Sequence, residues 1–232
     1  MTLFLREMHH VVGEHEDAFE AAYRDGYMPA LAKGEDARLL WYCNQSHGSG
    51  HSYRVVTVTA IADGAYERLV RRVQDGDLRD WAVELDGYRY DVEAKAWWPL
   101  PWSPVREIDL SSVPVDGAEH ELTMYMEDTM WPHHGRMEDY VAASGAVYDR
   151  SLDHAERFLT IEAAFRPAFG TGLRREVTLM QQIHDLDRLR NLLGSDIAPE
   201  MRAPGTWMHD ALKLRDQWES RLLRTSAWSP FH

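Results

Sequence analysis

Two stretches of this chain spell nearly the same hairpin: "HGSGHSYRVVTVTAIAD" (His47–Asp63) and "FGTGLRREVTLMQQIHD" (Phe169–Asp185). Each opens on Gly-x-Gly, runs on through a β-rich segment and closes on Ile-x-Asp, at a spacing of 170 − 48 = 122 residues. Glycine tolerates positive φ, so Gly48 and Gly50 predict a tight turn, and the β-branched run behind them predicts a strand.

The match spreads outward in both directions. At the same offset "EDAFEAA" (Glu16–Ala22) falls on "EDYVAAS" (Glu138–Ser144), and Gly13 falls on Gly135. Beyond the second strand region the offset grows to 207 − 81 = 126, where Trp81 meets Trp207, Glu93 meets Glu219, Lys95 meets Arg221, and "WSP" at 102–104 meets "WSP" at 228–230. The four extra residues fit the Gly/Pro-rich "GSDIAPEMRAPG". Matches in one order point to a duplicated unit.

Within the first unit, "TLFLREMHHV" alternates as a strand, and "GEHEDAFEAAYRDGYMPALAK" carries Phe19, Ala22, Tyr23 and Leu31 at helical spacing, with Pro29 forcing a bend. "ARLLWYCNQS" and "SYRVVTVTAIA" read as strands, "DGAYERLVRRVQDGDLRDWAVEL" as a helix, and "YDVEAKAWW" as a fourth strand. The order is β-α-β-β-α-β, a ferredoxin-like unit. Both helices cover one face of such a sheet, so the other must be buried. The second unit supplies the cover. The expected fold is therefore α+β, with two tandem units (1–105 and 120–232) joined by a linker at 106–119, their antiparallel sheets closing into a pseudo-twofold barrel.

"FLREMHHVVGEHEDAFEAAYRDGYMPAL" resembles the opening of NIPSNAP-type proteins of the dimeric α/β-barrel superfamily. Leu5 and Arg6 keep that family's Leu-Arg, Gly13 its turn glycine and Pro29 its helix-end proline, whereas Phe4, Met8 and Val12 replace its glutamate, tyrosine and proline. The resemblance is sequence-level mainly in the first half. It implies a barrel with a ligand-sized interior, in a superfamily of cofactor-free monooxygenases, polyketide cyclases, muconolactone isomerases and haem-dependent enzymes. It does not single out one reaction.

Composition narrows the partners. A formal charge of −13 argues against nucleic acid and anionic membranes. No apolar run approaches the roughly 20 residues of a membrane span, and Arg6 and Glu7 interrupt the N-terminal apolar stretch too early for a signal peptide. A single cysteine, Cys43, fits a reducing cytoplasm, and the arginine bias fits a high-GC bacterial gene. The mean hydropathy of −0.48 is that of an ordinary soluble chain.

Strand alternation then sorts candidate site residues. If Leu3 and Leu5 pack beneath the helices, Arg6 and His10 point into the barrel. At offset 122 the counterpart of Arg6 is Asp128, which predicts an Arg6–Asp128 pair across the interior, either structural or holding a substrate oxyanion. On strand three, Tyr53 and Thr57 share a face suited to a mixed pocket wall, and Trp41, Trp97 and Tyr125 are the aromatic candidates for packing or substrate contact. Glu93 and Lys95 repeat as Glu219 and Arg221; their apolar neighbours Val92, Ala94 and Ala96 place the charges away from the core, or else as carboxylates lining the barrel. The doublets His9-His10 and His133-His134 cannot easily turn both rings toward one metal, and a haem would need one pocket histidine, His10 or His184.

The expectation is a small-molecule enzyme needing no cofactor. It would act on an apolar, aromatic or polyketide-like substrate by proton transfer with cyclisation, lyase chemistry or oxygenation, with Arg6, His10, Asp128 and Glu93 as catalytic residues. The alternatives are a non-catalytic binder of such molecules and a haem or metal enzyme; association of two chains is left open.

Overall fold

The computed structural model describes residues 1–151, 158–171 and 175–232. Its eight strands are β1 (Leu3–Val11), β2 (Ala37–Gln45), β3 (Arg54–Ile61), β4 (Arg89–Pro99), β5 (Met124–Pro132), β6 (Leu159–Pro167), β7 (Val177–Ile183) and β8 (Arg215–Thr225). They close into a barrel in the order β1-β3-β2-β8-β5-β7-β6-β4, with every pairing antiparallel. The helices α1 (Glu16–Ala22), α2 (Met28–Ala32), α3 (Tyr66–Gln74), α4 (Arg79–Asp86), α5 (Met137–Ser151), α6 (Leu186–Gly194) and α7 (Trp207–Asp210) complete the two units. The fold is that of a dimeric α/β barrel with both ferredoxin-like units in one chain. Among the described residues no helix is long and apolar enough to cross a membrane.

Two helical expectations are refined. The long first helix contains a π-turn, Tyr23–Tyr27, where the Met28 N–H donates to the Tyr23 carbonyl five residues back. Pro29 cannot donate an N–H, and the widened turn before it absorbs the misfit. The third helical stretch breaks into α3 and α4 at Asp75–Leu78, where Gly76 lets the chain pass close to the Arg72 backbone. Gly48 and Gly50 do sit at positive φ, as does Gly170; Gly172, its turn partner, lies outside the described residues.

Each strand presents alternate residues to the barrel interior. Phe4, Met8, Trp41, Cys43, Val56, Val58, Ala60, Trp97, Tyr125, Ala163, Phe165, Met180 and Leu223 form one internal cluster. Leu3 and Leu5 pack on the opposite side with Leu31, Leu69 and Leu78. The strand starts show how the two halves correspond: 124 − 3 = 121 for the first strands, 159 − 37 = 122 for the second, and 215 − 89 = 126 for the fourth. The first strand therefore slips by one residue against the second.

Two seams join the halves, β2 to β8 and β4 to β6, and each holds three paired residues. The WSP repeat reinforces both. After β8, the Tyr42 N–H donates to Ser229 Oγ (3.0 Å) and Ser229 Oγ donates to the Phe231 carbonyl (2.8 Å). After β4, the Ala164 N–H donates to Ser103 Oγ (2.9 Å) and Ser103 Oγ donates to the Val105 carbonyl (2.8 Å). The tryptophans dock on the other half too: Trp228 Nε1 donates to Glu20 (2.7 Å) and Trp102 Nε1 to the Val141 carbonyl (2.9 Å). Each unit thus clasps the second strand of the other. Ser229→Ala should strand a buried Tyr42 N–H at a cost of about 1–3 kcal/mol; urea unfolding of Ser229→Ala and Ser103→Ala checks this, and an unchanged midpoint for both would remove the clasp from the account.

Candidate functional site

The interior has a polar end and an apolar end. At mid-barrel Arg6, 3% exposed, meets Glu127, 1% exposed, through Nη2–Oε1 (2.7 Å) and Nε–Oε2 (3.3 Å). Arg221 Nη1 also reaches Glu127 (3.1 Å), while its Nη2 bonds Glu219 (2.7 Å). Lys95 Nζ pairs with Glu176 (2.7 Å), and His10 Nε2 bonds Glu93 (3.1 Å), whose side chain is half exposed. Burial alone would raise the Glu127 carboxyl, but the Arg6 and Arg221 guanidiniums outweigh it and the net shift is downward.

The expected partner of Arg6 is thus corrected from Asp128 to Glu127. The one-residue slip of β5 turns Asp128 to the outer, helix-covered face. Of the two orientations open to Glu93 and Lys95, the inward one is found: they pair across β1 with Met8 and Arg6 and share the interior side with Trp97. On β3 the inward residues are Val56, Val58 and Ala60. Thr57 points outward to His9, and Tyr53 sits in the loop before β3 at φ 57°, its ring over Gly13 where a Cβ would collide. Both strand faces are buried there, so alternation could not name the inner one. Trp41, Trp97 and Tyr125 do face inward.

The apolar end is filled. Phe4, Met8, Trp41, Trp97, Phe165 and Met180 are fully buried, with Trp97 stacked on Phe165 (centroids 4.8 Å apart). Val105, Ile108, Leu110 and Val113 of the joining segment, and Phe231, pack against them. This corrects the expectation of a ligand-sized interior: the segment read as a linker helps to plug the barrel. Clefts of 630 and 760 Å³ lie outside, both bordered by Trp98 and Arg166, and one of 210 Å³ reaches Trp41 and Tyr125.

The outer faces, beneath the helices, hold two further polar groups that alternation did not reveal. In the first half Arg89 donates to His9 Nδ1, so the neutral His9 donates from Nε2 to Thr57 Oγ1 (3.0 Å). Burial, then the Arg89 charge, hold His9 well below the usual imidazole range. Glu7, beneath Tyr23 and Tyr27, is raised by burial against the pull of Arg89.

The second half places Asp128 where the first has Glu7, and Arg215 where it has Arg89, by the same offsets of 121 and 126. Asp128 accepts from Ser220 Oγ (2.5 Å) and Gln181 Nε2 (2.8 Å). Burial raises its carboxyl, opposed by those two hydrogen bonds and by Arg215. Tyr140, Trp207 and Tyr148 form aromatic walls, with Trp207 5.8 Å from Tyr140 and 6.1 Å from Tyr148 between ring centroids. No histidine corresponds to His9; Met130 stands there instead. Among the described residues the buried Tyr140 hydroxyl, Trp207 Nε1 and Arg215 Nε lack a hydrogen bond of good geometry, but Arg215 lies beside Tyr140 and Trp207 beside Tyr148, each easing the phenol that burial raises.

Among the described residues no group of three or more His, Cys, Asp or Glu is placed to hold a metal. Of the two histidines considered for haem, His10 bonds Glu93 through Nε2 (3.1 Å), and His184 is exposed with its Nε2 bonded to Thr160 Oγ1 (2.8 Å).

No family model matches the chain, and no curated protein matches it. Solved structures do. A "putative monooxygenase" from Lactobacillus acidophilus NCFM is 8% identical, with 99% of this chain and 97% of that one covered at a TM-score of 0.62. An anthrone oxidase-like protein is 8% identical over 97% and 91% of the two chains, TM-score 0.60. At such identities the likeness shows the fold alone. A NIPSNAP family protein from Agrobacterium tumefaciens str. C58 is 17% identical and covers 46% of this chain and 100% of its own, at a TM-score of 0.38, which does not assign the chain to that family.

Proposed function

We propose that the chain is a small-molecule enzyme that removes a proton from a carbon acid of an aromatic, polyketide-like compound, with Asp128 as the base. The observation that carries this is the asymmetry between the halves. The polar group under the first helices is closed by His9, whereas its counterpart has no histidine and sets Tyr140, Trp207 and Arg215 around a carboxyl of raised pKa.

The chemistry follows from those groups. Asp128 takes the C–H proton, the electron pair delocalises onto a conjugated carbonyl oxygen, and Arg215 with the Tyr140 hydroxyl stabilises the developing oxyanion. The aromatic walls hold the rings. The resulting carbanion is the common starting point for isomerisation, ring closure, or reaction with dioxygen. His10 and Glu93 bond one another apart from this group (3.1 Å) and take no part in the step.

Anthrone tests the reading, since one structural neighbour is described as anthrone oxidase-like. The protein is expected to accelerate deuterium exchange at the benzylic carbon under anaerobic conditions and dioxygen uptake in air, with anthraquinone and water as products. No acceleration over buffer, or equal acceleration by Asp128→Asn, refutes the assignment. The mutual satisfaction of Arg6 and Glu127 favours a second reading, a non-catalytic binder, which predicts anthrone binding without exchange.

A further inference from the structure

We infer that Trp218 is a positioning residue of the Asp128 site, its indole face holding the Arg215 guanidinium in place of a counter-ion. The inference rests on the reading of Asp128 and Arg215 given above, yet it is tested on ligand-free protein. The Arg215 guanidinium carbon lies 4.5 Å from the centroid of the Trp218 ring, inside the roughly 6 Å over which an aromatic face attracts a cation. Residues three apart on a regular strand face opposite ways, and a bulge removes that obstacle. Trp218 pairs with Met130 and Arg215 with Pro132, because the register shift between Trp131 and Pro132 leaves Asp216 unopposed. Such a bulge re-aims the side chains beside it. The pairs Asp128–Ser220, Met130–Trp218 and Pro132–Arg215 thus form one row on the outer face of the sheet.

The first half carries the same bulge and settles its arginine differently. There the register shifts between His10 and Val11, with Arg89 opposite Val11 and Val92 opposite His9. Arg89 is closed by charge: its Nε (2.9 Å) and Nη2 (2.6 Å) both donate to Asp86 Oδ1. The offset of 126 that carries Arg89 to Arg215 carries Asp86 to Leu212 and Val92 to Trp218. The second half has therefore lost the carboxylate and gained an aromatic face. Among the described residues Arg215 forms no salt bridge, whereas Arg89 does. A ring attracts a guanidinium without cancelling its charge. The charge stays directed at Asp128 and Tyr140, whose ionised forms it favours. Trp218 is itself 49% exposed, on a stretch of β8 that pairs with β5 alone, since β2 meets β8 only at Leu223–Thr225. Replacing it leaves the core in place.

The test titrates the Asp128 carboxyl of the full chain by ¹³C NMR after aspartate labelling, its signal assigned by its absence in Asp128→Asn. Apart from Arg215, the groups that bear on it are Ser220 on β8, Gln181 on β7, Glu127 on the opposite face of β5, and Tyr140 and Tyr148 on α5; the variants leave all of these in place. Trp218→Leu should move the titration to higher pH, because the released guanidinium turns to solvent and withdraws the charge that favours ionised Asp128. Trp218→Tyr keeps an aromatic face and should recover most of that displacement. In an Arg215→Met background Trp218→Leu should add nothing, since it acts only through that cation. A titration in Trp218→Leu that overlays wild type or moves to lower pH overturns the assignment. So does an equal displacement in Trp218→Tyr, or one that persists in the Arg215→Met background. These readings need no substrate, so failure here and failure of the anthrone assay are separate results.

Discussion

Glu127→Gln is expected to destabilise the fold by about 3–5 kcal/mol, the range for removing one partner of a buried ion pair. Two guanidiniums converge on that carboxylate, and Arg6 has no route to solvent at 3% exposure. The glutamine keeps the shape and loses the charge, leaving Arg6 desolvated without compensation. For a domain whose total stability is about 5–15 kcal/mol, such a loss is visible in any denaturant titration. The companion variant separates the value of the pair from the cost of breaking it. Arg6→Met combined with Glu127→Leu should recover most of the loss, because apolar residues of similar volume often replace buried pairs at little cost; Arg221, less deeply buried, keeps Glu219. The pH dependence has a definite sign. The folded-state pKa of Glu127 lies below its unfolded value, so its contribution is complete above the ordinary carboxylate pKa and is lost as pH falls through the folded value. The variant should therefore narrow its gap to wild type in acid. A loss below about 1 kcal/mol at neutral pH would mean that the pair is solvated.

How much of this was legible in the sequence depended on what anchored the alignment. The glycines, the helix starts and the WSP triplets gave the duplicated β-α-β-β-α-β order and the closed barrel, because turn and cap residues mark positions along the chain independently of face. Face was harder. In the first half three positions separate the last inward residue, His10, from the turn Gly13; in the second, Trp131 to Gly135 is four. Both strands shift register there, at His10/Val11 and Trp131/Pro132. An offset anchored on the glycines and carried back into β5 lands one residue off, and in a strand one residue exchanges the faces. "MYMEDTMW" offers no rescue, since Tyr125, Glu127 and Trp131 are as plausible inside as Met124, Met126 and Met130.

The same limit hid the polar groups under the helices. Glu7 and His9 lie on the face that the leucines mark as helix-covered, where charged residues are not expected. Only the tertiary approach of Arg89, eighty residues away, explains His9. Asp128 entered the candidate set for its supposed pairing with Arg6, and the structure gives it different neighbours. The WSP triplets were visible as a repeat, but their exchange between halves was not, because a seam between two units leaves no local periodicity.

Asp128→Asn is expected to reduce kcat for proton abstraction by about 10²–10⁴-fold, the usual contribution of a positioned general base, while leaving the protein as stable as wild type or slightly more so. The second half of that statement distinguishes a base from a structural acceptor. A carboxyl whose folded-state pKa is raised favours folding in its protonated form, fully below the unfolded pKa, and that contribution is lost as pH rises through the folded value. At neutral pH the ionised Asp128 is thus a burden on the fold, and asparagine, which mimics the neutral acid, relieves it. Asparagine can still accept from Gln181 and bond Ser220, so the local geometry has no reason to collapse. The rate should follow the ionised form, rising with pH through the raised pKa to a plateau. Ser220→Ala removes a hydrogen bond that lowers the Asp128 pKa, so it should move that rise to higher pH and keep the plateau within about tenfold. A large stability loss in Asp128→Asn, with Ser220→Ala leaving the pH profile in place, would make Asp128 a fastening of the second sheet rather than a base.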